Sequence, residues 1–299
     1  MNITLLLAGV SSGLAHSVYS ALSKSLLKNR MREPFLLFLY VCLFQAVLTP
    51  FLWLLVTPAL PPMAGWAPLL TSCMTCLVAY SFLYMALSSG DASSVMPIMG
   101  SKVIFAGLLA IPMLGESHSG HVYLAAVLVA ISIAILSYSP TSSQDNAFPL
   151  KPILLMVACS IAFAFTDIFI RRSLVFIDSY NFMIYYNFLL GAGSLILVPY
   201  LKNKKVPVIP KGQDLWLSLV SSFFLVVATL LFVISLQIAE GVLIPNILQS
   251  TRGVFIVLIS AALARSGSTA LETHSMKVYL LRFLASSLIV VSIWIALSN

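Results

Sequence analysis

The sequence predicts an all-α integral membrane protein of ten transmembrane helices, and three observations carry this reading. Of its 299 residues, 60% are hydrophobic and 8% charged, with a mean hydropathy of +1.04. The apolar stretches are helix-length runs, not ten-residue alternations. Short polar segments separate them. A soluble globule is about 25% charged, so a water-covered surface is excluded. A hydrocarbon core about 30 Å thick takes roughly 20 apolar residues per helix. Only helices and closed barrels satisfy their own backbone there, and the run length excludes a barrel.

In chain order the spans are Ile3 to Leu27, Phe35 to Val56, Trp66 to Leu87, Ala92 to Leu114, Val122 to Ser139, Pro152 to Ile170, Asn181 to Leu201, Leu215 to Ile238, Val242 to Leu263 and Val278 to Leu297. The first lacks a basic leader and a small-residue cleavage site, which favours a retained helix over a removable signal peptide. No segment between spans is long enough for a soluble domain.

The net charge of +7 does not point to nucleic acid, because the basic residues flank helix ends. Loops after the odd-numbered spans hold ten Lys/Arg: Lys28, Arg30, Arg32, Lys151, Lys202, Lys204, Lys205, Lys211, Arg265 and Lys277. The opposite side holds Arg171 and Arg172. The positive-inside rule then directs both termini away from the cytosol, in a plasma or bacterial inner membrane. Cys42, Cys73, Cys76 and Cys159 all fall within spans. The Cys73 and Cys76 spacing has no second pair and no nearby histidine, so helix packing is the simpler reading, and no metal or other cofactor is expected.

The stretch 140–151 (PTSSQDNAFPLK), rich in Pro, Ser and Asn, divides the chain into a first unit, 1–139, and a second, 152–299, of five spans each. The halves resemble one another. Leu83 to Phe105 and Leu231 to Phe255 each end one helix, turn through an acid (Asp91 or Glu240) and open a proline-bearing helix. Lys102 and Arg252 follow those acids by eleven and twelve residues. An odd number of helices per half inserts the second copy upside down, the inverted repeat common in secondary carriers.

Tyr84 to Glu116, with its Ala86-Leu87 helix end, the run ASSVMPIMGSKVIFAGLLAIPMLGE and the Leu114-Gly115-Glu116 close, resembles the drug/metabolite transporter superfamily, and most closely its EamA-type branch. The second half carries SLQIAEGVLIPNIL but departs from the pattern with Ala264-Arg265-Ser266 in place of Leu-Gly-Glu. Ala15-His16 and Phe165-Thr166 stand where a Trp-Gly is usual. The resemblance implies two inverted five-helix repeats around a central cavity, alternating access, and a cargo among amino acids, other small metabolites, nucleotide sugars or sugar phosphates.

Four cations lie within spans. Lys24 and Arg282 are close enough to helix ends to snorkel. Lys102 and Arg252 stand about 15 Å from either end by helical rise. There each costs at least about 2.5 kcal/mol and must face protein or water. Pro245, Gln249 and Arg252 share one helical face, extended by Asn246 and Ser250; Ser94, Ser101 and Lys102 form a thinner strip beside Gly100. Pro97 and Pro245 free a carbonyl partway along their helices, which serves hinging, ligand contact or only a packing kink. Asp167 is the one acid clearly inside a span. It either pairs along its helix with Arg171 or faces Lys102 or Arg252 as a proton or counter-charge site. His16 is a second candidate for proton coupling, against the plainer reading of a hydrogen-bonded interior histidine. Tyr19, Tyr80, Tyr84, Tyr185 and Tyr186 are candidates for the cavity wall, while Asp91, Glu116 and Glu240 lie at span ends, within reach of water.

Two cations against one acid favour a secondary carrier or exchanger of a small organic anion, a carboxylate or phosphorylated metabolite, coupled to protons or a counter-substrate, with Lys102 and Arg252 together expected to bind its anionic group and Gln249, Asn246, Ser101, Tyr84 and Tyr19 beside them. Export of zwitterionic amino acids is the second carrier reading. An intramembrane lipid-modifying enzyme would need paired acids, a His-Asp motif or metal ligands. The scattered histidines 16, 118, 121 and 274 supply none of these, so the chain is not read as an enzyme. No GxxxxGK[ST] segment appears, which argues against ATP-driven transport by this chain alone.

Overall fold

A computed structural model describes residues 2–29, 31, 33–89, 96–137, 150–207, 209, 212–239, 241–265 and 276–297. Asp91, Glu240, His274 and the linker residues 140–149 lie outside the described residues. Every described element is helical: α1 (Ile3–Asn29), α2 (Pro34–Leu48), α3 (Met63–Ser89), α4 (Lys102–Leu114), α5 (Gly120–Ser137), α6 (Leu150–Ser173), α7 (Ser179–Ser194), α8 (Leu197–Asn203), α9 (Gly212–Ala239), α10 (Leu243–Gln249), α11 (Arg252–Arg265) and α12 (Met276–Leu297). Two 3₁₀ turns, Thr49–Leu54 and Met96–Ser101, extend α2 and precede α4.

Six of the helical stretches among the described residues are long and apolar enough to cross a membrane: Ile3–Leu27, Pro34–Leu54, Met63–Ala86, Leu150–Ser173, Ser179–Asn203 and Gly212–Ala239. Four shorter apolar helices accompany them: Ile98–Leu114, Gly120–Ile133, Leu243–Ile259 and Phe283–Leu297. The outside is apolar and much of the inside is polar. Leu108, Phe188, Trp216, Phe283 and Trp294 are exposed, while Ser12, Ser160, Ser218, Ser221 and Ser222 are fully buried. That distribution suits a lipid surround, where polar side chains turn inward for partners.

Several spans that read as continuous in sequence are broken, and local chemistry explains where. Pro50 cannot donate to Ala46, and α2 tightens into 3₁₀ geometry from Thr49. Pro199 cannot donate to Leu195, and α7 and α8 separate there through three-residue turns. Between α10 and α11 the Thr251 hydroxyl donates to the Leu248 carbonyl (2.8 Å) and Ser250 to that of Ile247. The backbone at this point closes i to i+3, with Thr251 N on Leu248 O at 3.2 Å and Gly253 N on Ser250 O at 2.9 Å. Hydroxyls competing for helix carbonyls favour such a local departure. In the first half the 3₁₀ turn ends at Gly100-Ser101, directly before α4. Lys102 and Arg252 are thus each the first residue of the α-helix that follows a break.

The packing is reciprocal between residues before and after the linker. α1 lies along α9 and α3 along α6, so the first helix of each half packs on the third of the other. α2 meets α7, and α5 meets α12. α1 also touches both pieces of the broken α10–α11 stretch, as α6 touches the 3₁₀ turn and α4. One hydroxyl seals each break. Ser17 on α1 donates to its own Gly13 carbonyl (2.8 Å) and to Arg252 O (2.9 Å). Ser160 on α6 donates to Met156 O (2.9 Å) and Ile98 O (3.4 Å).

Close approach at the second break depends on glycine. A Cβ on Gly13 would lie 2.2 Å from Thr251 Oγ1 and 3.0 Å from Arg252 N, and one on Gly9 2.5 Å from Leu248 Cβ. Gly115 ends α4 in the left-handed region (φ 68°), as a helix C-terminal glycine often does. Glu116, expected to reach water, instead has a largely buried side chain. It accepts Val242 N at 2.8 Å, capping α10 of the other half, and pairs with His118 at 3.0 Å.

Candidate functional site: a cationic cavity at the two helix breaks

A cavity of about 90 Å³ opens where α1, α3, α6 and α9 surround the two breaks. Its polar end is formed by His16, Lys102, Asp167, Gln249 and Arg252. Its aromatic wall comes from Tyr19, Tyr80, Tyr84, Phe163 and Tyr186.

Lys102 is buried and fully engaged. Its Nζ lies 2.9 Å from Asp167 Oδ2, 3.3 Å from Gln249 Oε1 and 4.7 Å from the centroid of the Phe232 ring. An ammonium has three protons, and three acceptors meet it. Asp167 therefore reaches across to α4 and is not the helical partner of Arg171. The same Oδ2 accepts Asn246 Nδ2 at 2.8 Å.

Gln249 passes this charge arrangement on. Because Lys102 can only donate, its contact fixes the amide oxygen of Gln249 towards it. The two amide protons then face Ser12 Oγ (3.2 Å) and His16 Nδ1 (3.3 Å). Ser12 has spent its own proton on Ala228 O (2.8 Å) and can accept. His16 Nδ1 must likewise accept, which holds the ring neutral with its proton on Nε2.

Arg252 is the contrast. Its guanidinium lines the cavity, and among the described residues it makes no hydrogen bond or ion pair. Its position is set through the backbone, by Ser17 on the carbonyl and by Gly13 close to the amide.

The structure brings together His16, Tyr19, Tyr84, Lys102, Asp167, Gln249 and Arg252 around one space. It places other sequence candidates elsewhere. Asn246, 1% exposed, stands behind Asp167 with its amide also on Val242 O at 3.0 Å, and does not line the cavity. Ser101 is also absent from the wall; its hydroxyl is buried without a hydrogen-bond partner. Pro245 is buried inside α10, and of Pro97 only the backbone, in the 3₁₀ turn, is described. Tyr185 turns away to pack edge-on against Trp53 and Trp66. Ser12, Ser17 and Phe232 were not anticipated. Ser12 stands one helical turn before His16, a spacing that could have flagged it.

All four cysteines are free and buried, and no group of three or more metal-ligating side chains occurs among the described residues. His121 bonds Ser119 (2.9 Å), while His118 serves Glu116.

A comparison with curated protein sequences found no match. A solved crystal structure superposes on 96% of this chain and 97% of its own length, with a TM-score of 0.66 at 16% identity, a likeness of fold alone. The profile of the EamA-like transporter family matches residues 3–138, the stretch that supplies α1 to α5 and, with them, His16, Tyr19, Tyr84 and Lys102. Residues 3–138 thus match the EamA-like transporter family, which belongs to the drug/metabolite transporter superfamily.

Proposed function

We propose that this chain is a secondary transporter that moves a small organic anion through the membrane by alternating access, with Arg252 as the residue that holds the anionic group. One observation carries the proposal: a guanidinium lines an interior cavity without a partner among the described residues. Such a charge is costly to bury, and a carboxylate or phosphoryl oxygen pair matches its planar fork. His16 Nε2–H and the tyrosine hydroxyls offer further donors, and the aromatic wall accepts an apolar body.

Ten spans in two inverted five-helix repeats, with units 1–139 and 152–299, are part of this reading. The reciprocal packing of α1 on α9 and α3 on α6, and the paired breaks, support it. Zwitterionic cargo is less favoured, because Asp167 Oδ2 already serves Lys102 and Asn246.

The test is ligand binding by purified protein, read as thermal stabilisation by carboxylates and phosphorylated metabolites. Arg252→Gln is expected to abolish it, a loss on the order of 2 to 5 kcal/mol in a desolvated site. Unchanged affinity in a folded Arg252→Gln protein would remove the anion reading. Orientation is tested separately. Cysteines placed between Lys202 and Asp214 should resist impermeant thiol reagents in intact cells, whereas one at Asn299 should react; the reverse pattern would invert the proposed topology.

A further inference from the structure

We propose that the cavity selects anions bearing a single negative charge, and that Asp167 is the specificity-determining residue because it neutralises Lys102 and leaves Arg252 as the one open cation. The inference rests on the reading that the cavity binds an organic anion, and it narrows that class.

The described ionisable groups lining the cavity are Lys102, Arg252, Asp167 and His16, besides tyrosines and Cys76. His16 is held neutral by the Gln249 amide, whose orientation Lys102 fixes. Lys102 and Asp167 cancel at 2.9 Å, and the remaining donors of the ammonium are occupied by Gln249 and Phe232. The sum is one positive charge, on Arg252.

A cargo with one carboxylate brings this space to neutrality. A dianion leaves a second charge beside the Asp167 carboxylate, desolvated and without a free donor of matching sign, and like-charge juxtaposition is a strong device for rejecting a competitor. The two cations are therefore not equivalent. Lys102 serves as the counter-ion that lets Asp167 remain charged, and Asp167 sets the charge that the cavity accepts.

The experiment uses the full-length protein in lipid nanodiscs at pH 8, with two matched pairs of probes: acetate and malonate, benzoate and phthalate. The wild-type protein is expected to favour the monoanion of each pair by at least about tenfold. Asp167→Asn keeps an oxygen for Lys102 and Asn246 but exposes a second cation, and should erase or invert the preference. Lys102→Met leaves the Asp167 charge to Arg252 and should abolish monoanion binding. The charge-balanced double variant Lys102→Met/Asp167→Asn should regain monoanion binding, since Arg252 alone then faces the cargo. This double variant leaves no unpaired charge beyond the one Arg252 already carries in the wild-type protein, so it keeps the idea falsifiable should either single variant fail to fold. Equal affinity for both members of each pair, with binding still dependent on Arg252, overturns the charge selection while sparing the anion site. A double variant that folds and stays inactive overturns it too, by showing that Lys102 touches the cargo. Loss of both readings together follows if none of the four probes binds the wild-type protein.

Discussion

The Lys102 ammonium lies 2.9 Å from the Asp167 carboxylate, joining the helix after the first-half break to the first helix of the second half. Both side chains are more than nine-tenths buried. The pair therefore acts as a structural bond between the two parts of the chain. Removing one partner of such a pair costs about 3 to 5 kcal/mol, because the other charge stays behind in a dry site. Asp167→Ala is expected to lower the melting temperature of the detergent-purified protein sharply, and Lys102→Met/Asp167→Asn to restore most of it. If the double variant melts no higher than the Asp167→Ala protein, the stabilising role of the pair is wrong.

Gly13→Ala tests how tightly α1 is seated on the second break. The new methyl would meet Thr251 Oγ1 at 2.2 Å and Arg252 N at 3.0 Å, and the latter is backbone with nowhere to rotate. Overpacking of this kind costs about 1 to 3 kcal/mol. Pushing α1 away also loosens the Ser17 bond to Arg252 O, so weaker ligand binding should accompany the loss in stability. Adding Thr251→Ala relieves only the side-chain clash, and a partial recovery is the expected result. Full recovery would show that the backbone contact is unimportant.

Pro97 and Pro245 each lie shortly before a break, at the 3₁₀ turn and within α10. Short 3₁₀ stretches inside helices often mark hinges. Replacing either proline with alanine restores a backbone donor and should stiffen the stretch, slowing uptake into proteoliposomes by several-fold or more while equilibrium affinity changes less. Parallel losses in rate and affinity would assign the prolines to the shape of the site instead of its movement.

Composition and run length alone determined that this is an α-helical membrane protein, and charge depth alone singled out Lys102 and Arg252. A cation about 15 Å from either end of an apolar helix must be housed by the protein wherever the neighbouring helices lie. Helical spacing likewise put Gln249 on the face of Arg252. The residues around Tyr84 to Glu116 carried the resemblance to the EamA-like transporter family, whose profile matches residues 3–138. What the linear order did not hold was partnership. Asp167 had Arg171 one turn away in sequence, and only the packing of α6 beside α4 gave it Lys102, 65 positions earlier. The same ambiguity hid the burial of Glu116 against Val242 and left Tyr185 and Tyr186 indistinguishable, though neighbouring side chains on a helix point about 100° apart. Helix–helix register is set by contacts between residues far apart in the chain, such as Gly9 on Leu248 and Gly13 on Thr251. That is why tertiary structure decided which of Lys102 and Arg252 is neutralised and which lines the cavity without a partner among the described residues.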